Sequence, residues 1–263
     1  MTILLTPHIK RFTAIGLAFT AMIVSATGVA ADSSARNSID GVWSGNYVST
    51  YSPSPTNEIL MFEILSGKQI AGVYLTATAS AGTASGTEID KLAILQPVAG
   101  CPEPAKGVLT VEAVSHDKIN YSFSATSCKG VDNGKGTAVR YDINKKPPHK
   151  AGDTPVQSLV GFWNGEYTSM NSPKQTKEIL AFSSSGTAVT AVYLSKSGAT
   201  GILTGTVASD TFSLSIGPST PPSVFAGVLN PGKLSLSYGF YSTAPANPDI
   251  GNGVAAPAAP LPW

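Results

Sequence analysis

The chain has 263 residues, of which 13% are charged, and a formal net charge of +1. That charged share is about half the usual quarter; Gly, Ser, Thr and Pro take up the difference, a mixture that disfavours long helices and suits short strands with tight turns. A near-neutral chain projects no long-range field toward phosphate backbones or anionic lipid, so nucleic acid is not an expected partner.

Residues 1–31 read as a cleavable signal peptide. Lys10 and Arg11 form a basic start, Phe12 to Ala31 carries no charge, and Gly28-Val29-Ala30-Ala31 places small residues just before Asp32. Cleavage removes two of the 17 basic residues and none of the 16 acids, which turns the net charge from +1 to −1. No later stretch is long and apolar enough for a membrane helix. The expected product is a secreted or periplasmic protein with no integral membrane segment after cleavage.

The rest of the chain repeats itself. Gly41-Val-Trp-Ser-Gly-Asn-Tyr47 returns as Gly161-Phe-Trp-Asn-Gly-Glu-Tyr167, and aligning 41–62 with 161–182 gives 12 identities in 22 positions. Val73-Tyr74-Leu75 then meets Val192-Tyr193-Leu194, and Lys118-Ile-Asn-Tyr-Ser-Phe resembles Lys233-Leu-Ser-Leu-Ser-Tyr. The expected organisation is one repeat over 38–143, a polar linker over 144–157 with three prolines, and a second repeat over 158–242. A Pro- and Ala-rich tail over 243–263 is expected to be disordered, and the prolines of its closing AAPAAPLPW argue against a strand there.

Within each repeat the apolar period is two: Ile119, Tyr121 and Phe123, then Phe212, Leu214 and Ile216, then Leu234, Leu236, Tyr238 and Phe240, alternate with small or polar residues. About seven strands per copy are predicted; Gly130 to Thr137, which briefly resembles a phosphate loop, reads as a hairpin turn. The fold class is all-β: two tandem antiparallel β-barrel, or sandwich-like, domains of one fold. A Gly-x-Trp opening the first strand and a Gly-x-Tyr about 30 residues on, here Gly41-Val-Trp43 and Gly72-Val-Tyr74, resembles the lipocalin and avidin group of small barrels. The second copy keeps Gly161-Phe-Trp163 and Tyr193 but has Ala191 for the second glycine. The resemblance implies an eight-stranded barrel; the later tryptophans of an avidin's biotin site have no counterpart, so no ligand is implied.

Export makes a Cys101–Cys128 disulfide the expected state, closing a loop that stabilises the first repeat by about 3–4 kcal/mol in the chain-entropy model. Glu58 and Glu178 hold the same place in the two copies and are expected to be structural, with hydrogen bonds from a neighbouring Tyr or backbone amides at a barrel rim. Trp43 and Trp163 are expected chiefly to pack the barrel floor. As candidate ligand contacts the sequence offers Trp43, Tyr47, Tyr74, Trp163, Tyr167 and Tyr193. His116 reads as a solvated residue beside Asp117 in a turn; no catalytic residue, metal ligand set or cofactor motif emerges.

The expected function is that of an exported, non-catalytic binding protein whose duplicated barrels hold a small apolar molecule, a glycan or a protein loop. The alternatives are a structural or interaction protein of the cell envelope, and a hydrolase of an unrecognised kind. An internal apolar void above about 300 Å³ would favour a ligand, and a filled barrel would favour surface interaction.

Overall fold

The computed structural model describes residues 38–263 apart from 89–90, 149–153, 218–222, 231–233 and 244–247. The expected signal peptide and the middle of the linker, His149 included, lie outside these.

In the first repeat the strands are β1 (Gly41–Ser49), β2 (Thr56–Ile64), β3 (Ile70–Thr76), β4 (Ala81–Glu88), β5 (Lys91–Gln96), β6 (Ala105–Ser115), β7 (Lys118–Ser127) and β8 (Gly130–Arg140). Each pairs antiparallel with the next, and β8 returns to β1 with Trp43 opposite Arg140 and Tyr47 opposite Gly136. The sheet closes on itself and leaves no free edge. A short helix, α1 (Pro155–Leu159), leads into the second copy. Its strands are β9 (Gly161–Ser169), β10 (Thr176–Ser185), β11 (Ala188–Ser195), β12 (Thr200–Ala208), β13 (Thr211–Ile216), β14 (Ser223–Asn230), β15 (Ser235–Ser242) and β16 (Asp249–Ala259), and they close in the same order.

Three expectations need correction. Each barrel has eight strands, not seven. The stretch Gly130 to Thr137 is strand β8, not a turn, and the tail taken as disordered carries β16, which pairs with both β15 and β9 and closes the second barrel. Its proline is accommodated because the register shifts between Pro257 and Ala259, and a bulge is one of the few places where a sheet tolerates Pro. The linker also gains structure at its end: Thr154 caps α1 in a reciprocal box with Gln157, and Pro155 takes the first turn, where its missing N–H costs nothing.

Both floors rest on the repeated tryptophan. Trp43 and Trp163 are fully buried, and their indole N–H groups donate to the Ile39 and Leu159 carbonyls at 2.7 and 2.8 Å. In the first barrel the Arg140 guanidinium lies 4.3 Å from the Trp43 ring centre and donates to the Asp40 and Ser38 carbonyls, tying the entering chain across the floor. In the second, Pro257 stands opposite Trp163 and offers no cation; Leu159 and Val156 of α1 pack beneath the barrel instead.

The two barrels pack against each other through strands that are apolar on both faces. Leu60 and Phe62 of β2 point into the first barrel, while Ile59 and Met61 join a separate core with Val73, Leu75, Phe162, Val192, Leu194 and Ala259. Tyr141 stacks on Phe162 at 5.7 Å and donates to the Pro260 carbonyl, and Lys196 meets Glu63 at 2.5 Å across the same junction. We expect Trp43→Ala to destabilise the fold by about 3–5 kcal/mol in denaturant unfolding, the range for a large aromatic taken from a core. A loss below about 1 kcal/mol would contradict the floor as described.

Candidate functional site

At the end opposite the tryptophan floor, the mouth, the two copies build the same constellation. Inward-facing rings lie across glycines directly opposite on the neighbouring strand. In the first barrel the pairs are Tyr74 with Gly82, Tyr121 with Gly136 and Phe123 with Gly134; in the second they are Tyr193 with Gly201, Tyr238 with Gly253 and Phe240 with Gly251. A Cβ at any of these glycines would collide with the ring that covers it. The interior of an eight-stranded barrel is only just wide enough for side chains, so a ring can lie flat there only where its partner has none.

Into each mouth projects the repeated glutamate. Glu58 is 4% exposed and Glu178 7%. The Tyr121 hydroxyl donates to Glu58 Oε1, and the Tyr238 hydroxyl donates to Glu178 Oε1. Burial pushes the Glu58 carboxyl up to about 8 and Glu178 up to about 7, the tyrosine hydrogen bond opposing the shift in both. The same burial, reinforced by the nearby glutamate, raises Tyr121 and Tyr238 well above the usual phenol range and Tyr47 to about 12.

The mouths differ in how they are closed. The first is strapped. Cys101, in the connection between β5 and β6, is bonded to Cys128 after β7 with their Cα atoms 5.6 Å apart. The Tyr51 hydroxyl donates to the Lys129 carbonyl, and Val98 packs onto the barrel core. Both Asp132 oxygens are engaged, by the Ser49 hydroxyl at 3.2 Å and the Tyr51 amide at 3.1 Å. The space left among Tyr47, Glu58, Tyr74, Tyr121 and Phe123 is about 50 Å³.

The second mouth has no cysteine, and its cavity is about 240 Å³. Tyr167, Tyr193, Tyr238, Phe225 and Phe240 wall it, with Glu178 and Asp249 among the lining residues. Phe225 stacks on Tyr238 at 4.7 Å, and Tyr167 meets Phe240 edge-on at 5.7 Å. A larger groove of about 800 Å³ runs along the junction between the barrels past Tyr141, Asp142 and Lys196, but no side-chain set there recurs in both copies.

Of the six residues proposed from sequence as ligand contacts, Tyr47, Tyr74, Tyr167 and Tyr193 line the mouths. Trp43 and Trp163 do not: they are sealed into the floors, and their place as contacts is withdrawn. Glu58 and Glu178 sit in separate barrels, each bonded to a tyrosine. His116 is exposed in the turn between β6 and β7, 2.7 Å from Asp117. Sequence reasoning missed Tyr121, Tyr238, Asp132 and Asp249. The signal was present: Asp132-Asn-Gly-Lys-Gly136 returns as Asp249-Ile-Gly-Asn-Gly253, the acid followed by the two glycines that receive the rings.

The raised glutamates make stability depend on pH. A folded carboxyl that holds its proton to about 7 or 8, where the unfolded one releases it near 4.5, gives stability that is whole below about 4.5 and lost as pH rises through 7 to 8. The unfolding temperature should therefore fall between pH 5 and pH 8.5. The double substitution Glu58→Gln with Glu178→Gln, which keeps an acceptor for each tyrosine, should flatten most of that slope. An unchanged slope would remove the glutamates as its source.

The chain matches no family model and no curated protein. Among solved structures, a protein of unknown function from the DUF3598 family of Nostoc punctiforme aligns over 84% of this chain and 96% of its own, at 11% identity and a TM-score of 0.28. Isotype 1 transferrin binding protein B from serogroup B Neisseria meningitidis aligns over 82% of this chain and 76% of its own, at 9% identity and a TM-score of 0.26. Likenesses this weak carry no information about what this chain binds.

Proposed function

We propose that the chain is an exported, non-catalytic binding protein in which the second barrel holds a small, largely aromatic or apolar molecule and the first serves as its filled structural partner. The observation that carries this reading is the roughly fivefold difference in cavity volume, about 240 against about 50 Å³, between two mouths that share one set of three tyrosines, a phenylalanine, a glutamate and an aspartate. At roughly 30 Å³ per water, 240 Å³ is the bulk of about eight waters, room for a small molecule but not for a glycan chain or a protein loop. It falls below the roughly 300 Å³ at which drug-sized pockets begin, so the ligand is smaller than these.

A second reading, a surface interaction protein, is favoured by one observation. Val224, Tyr241 and Ile250 lie side by side across β14, β15 and β16 with their outward side chains 38, 46 and 53% exposed, beside Met170. Exposed apolar rows of this kind mark contact surfaces when they are contiguous.

Native mass spectrometry of the mature protein from its own source separates the two. A retained small-molecule mass that disappears in Ala199→Phe, at the second mouth, and survives in Ser80→Phe, at the matching turn of the first, is the expected result. A polypeptide mass in its place supports the surface reading. An unliganded protein that takes up no small aromatic molecule contradicts the proposed one.

A further inference from the structure

The charge inside the second mouth narrows the ligand further, on the assumption that this cavity is the binding site. Five aromatic rings present π faces or edges to the cavity, and two acids, Glu178 and Asp249, belong to the same lining. Among the described lining residues there is no Lys, Arg or His. The joining segments outside the described residues, 218–222 and 244–247, contain none either. Of the two lysines in the described loops at this end, Lys196 turns away to Glu63 on the other barrel at 2.5 Å, and Lys174 is exposed and outside the lining.

Asp249 is placed to act on a ligand in a way that its counterpart is not. Asp132 in the first barrel spends both oxygens on Ser49 and Tyr51. Among the described residues Asp249 accepts one hydrogen bond, from the Asn171 amide at 3.1 Å. The first mouth also has Leu109 where the second has Phe225, so the aromatic wall is more complete where the space is larger.

We propose that the second barrel binds a small organic cation, an arylalkyl primary amine carrying its proton at neutral pH, with the ammonium group held among the tyrosine faces and between Glu178 and Asp249. Aromatic faces attract a cation through the ring quadrupole, and the attraction grows when water is excluded. An anion would meet two carboxyl groups and no compensating charge. A neutral molecule would fill the space but bring the acids no positive charge beyond the hydrogen bonds they already accept from Tyr238 and the Asn171 amide. The groups facing Glu178, namely Tyr167, Tyr193, Tyr238 and Asp249, supply no positive charge of their own. The Tyr238 hydroxyl only partly offsets the burial of the carboxyl; an incoming ammonium adds a full positive charge that favours the carboxylate, and its binding expels a proton from the protonated acid.

The test uses phenethylamine and 2-phenylethanol, which match in shape and differ in the ammonium, titrated calorimetrically into the whole mature chain. The amine should bind at least about tenfold more tightly than the alcohol. Glu178→Gln and, separately, Asp249→Asn should each reduce that preference severalfold. Repeating the amine titration in buffers of different ionisation enthalpy should show a proton released by the wild type and not by Glu178→Gln. Equal affinity for the two probes, or a preference that survives both substitutions, overturns the assignment of a cation but leaves a small-molecule site standing. If neither probe binds, the small-molecule reading fails with it.

Discussion

A ring lying across a glycine on the next strand is the contact on which both mouths depend. Six such pairs line the mouths, three per copy, and Phe62 over Gly72 and Phe212 over Gly227 repeat the contact elsewhere in the two interiors; each places an aromatic side chain flat against the wall instead of across the lumen. The glutamates follow from this arrangement. Tyr121 and Tyr238 are held at fixed heights by Gly136 and Gly253, so their hydroxyls meet Glu58 and Glu178, and a buried carboxyl acquires its partner. Without that partner a buried acid would be costly even when protonated. Replacing one of the glycines would therefore disturb packing and the polar pair together.

The same contact explains what was legible in the sequence. Strands that donate rings or aliphatic side chains, such as β7, β13 and β15, alternate visibly and were readable with a period of two. Strands that receive rings carry glycine and alanine at their inward positions and resemble loops. β4 is AGTASGTE, with Gly82 beneath Tyr74; β8 opens GVDNGKG; and β16 is DIGNGVAAPAA. These are the segments left out, taken for a turn or taken for disorder. The duplication and the disulfide were legible because they rest on residue identity. The mouth was half legible: its tyrosines on β1 and β3 sit in the repeated block, whereas Asp132 and Asp249 lie on strands whose inward faces are nearly empty.

Duplication gave the two copies different constraints. β2, β3, β10 and β11 are buried on both faces, one toward the lumen and one toward the other barrel, which accounts for their near-continuous apolar runs. With those walls fixed by the junction, divergence is concentrated at the ends. On the floor, Arg140 gives way to Pro257 and a helix supplies the lost contact. At the mouth, a disulfide and a doubly bonded aspartate close one copy, and neither feature is kept in the other. One barrel thereby retains shape for stability, and the other retains space.

The central claim, that two mouths of one design have become one filled and one able to hold a ligand, is tested most directly by benzene, whose binding does not depend on the chemistry of any head group. A cavity of about 150 Å³ accepts benzene, a value that lies between the 50 Å³ of the first mouth and the 240 Å³ of the second. In a benzene titration followed by NMR of the aromatic side chains, resonances of Tyr167, Tyr193, Phe225 and Tyr238 should shift saturably while those of Tyr47, Tyr74 and Tyr121 stay in place. Equal shifts in both sets, or none in either, would contradict the account.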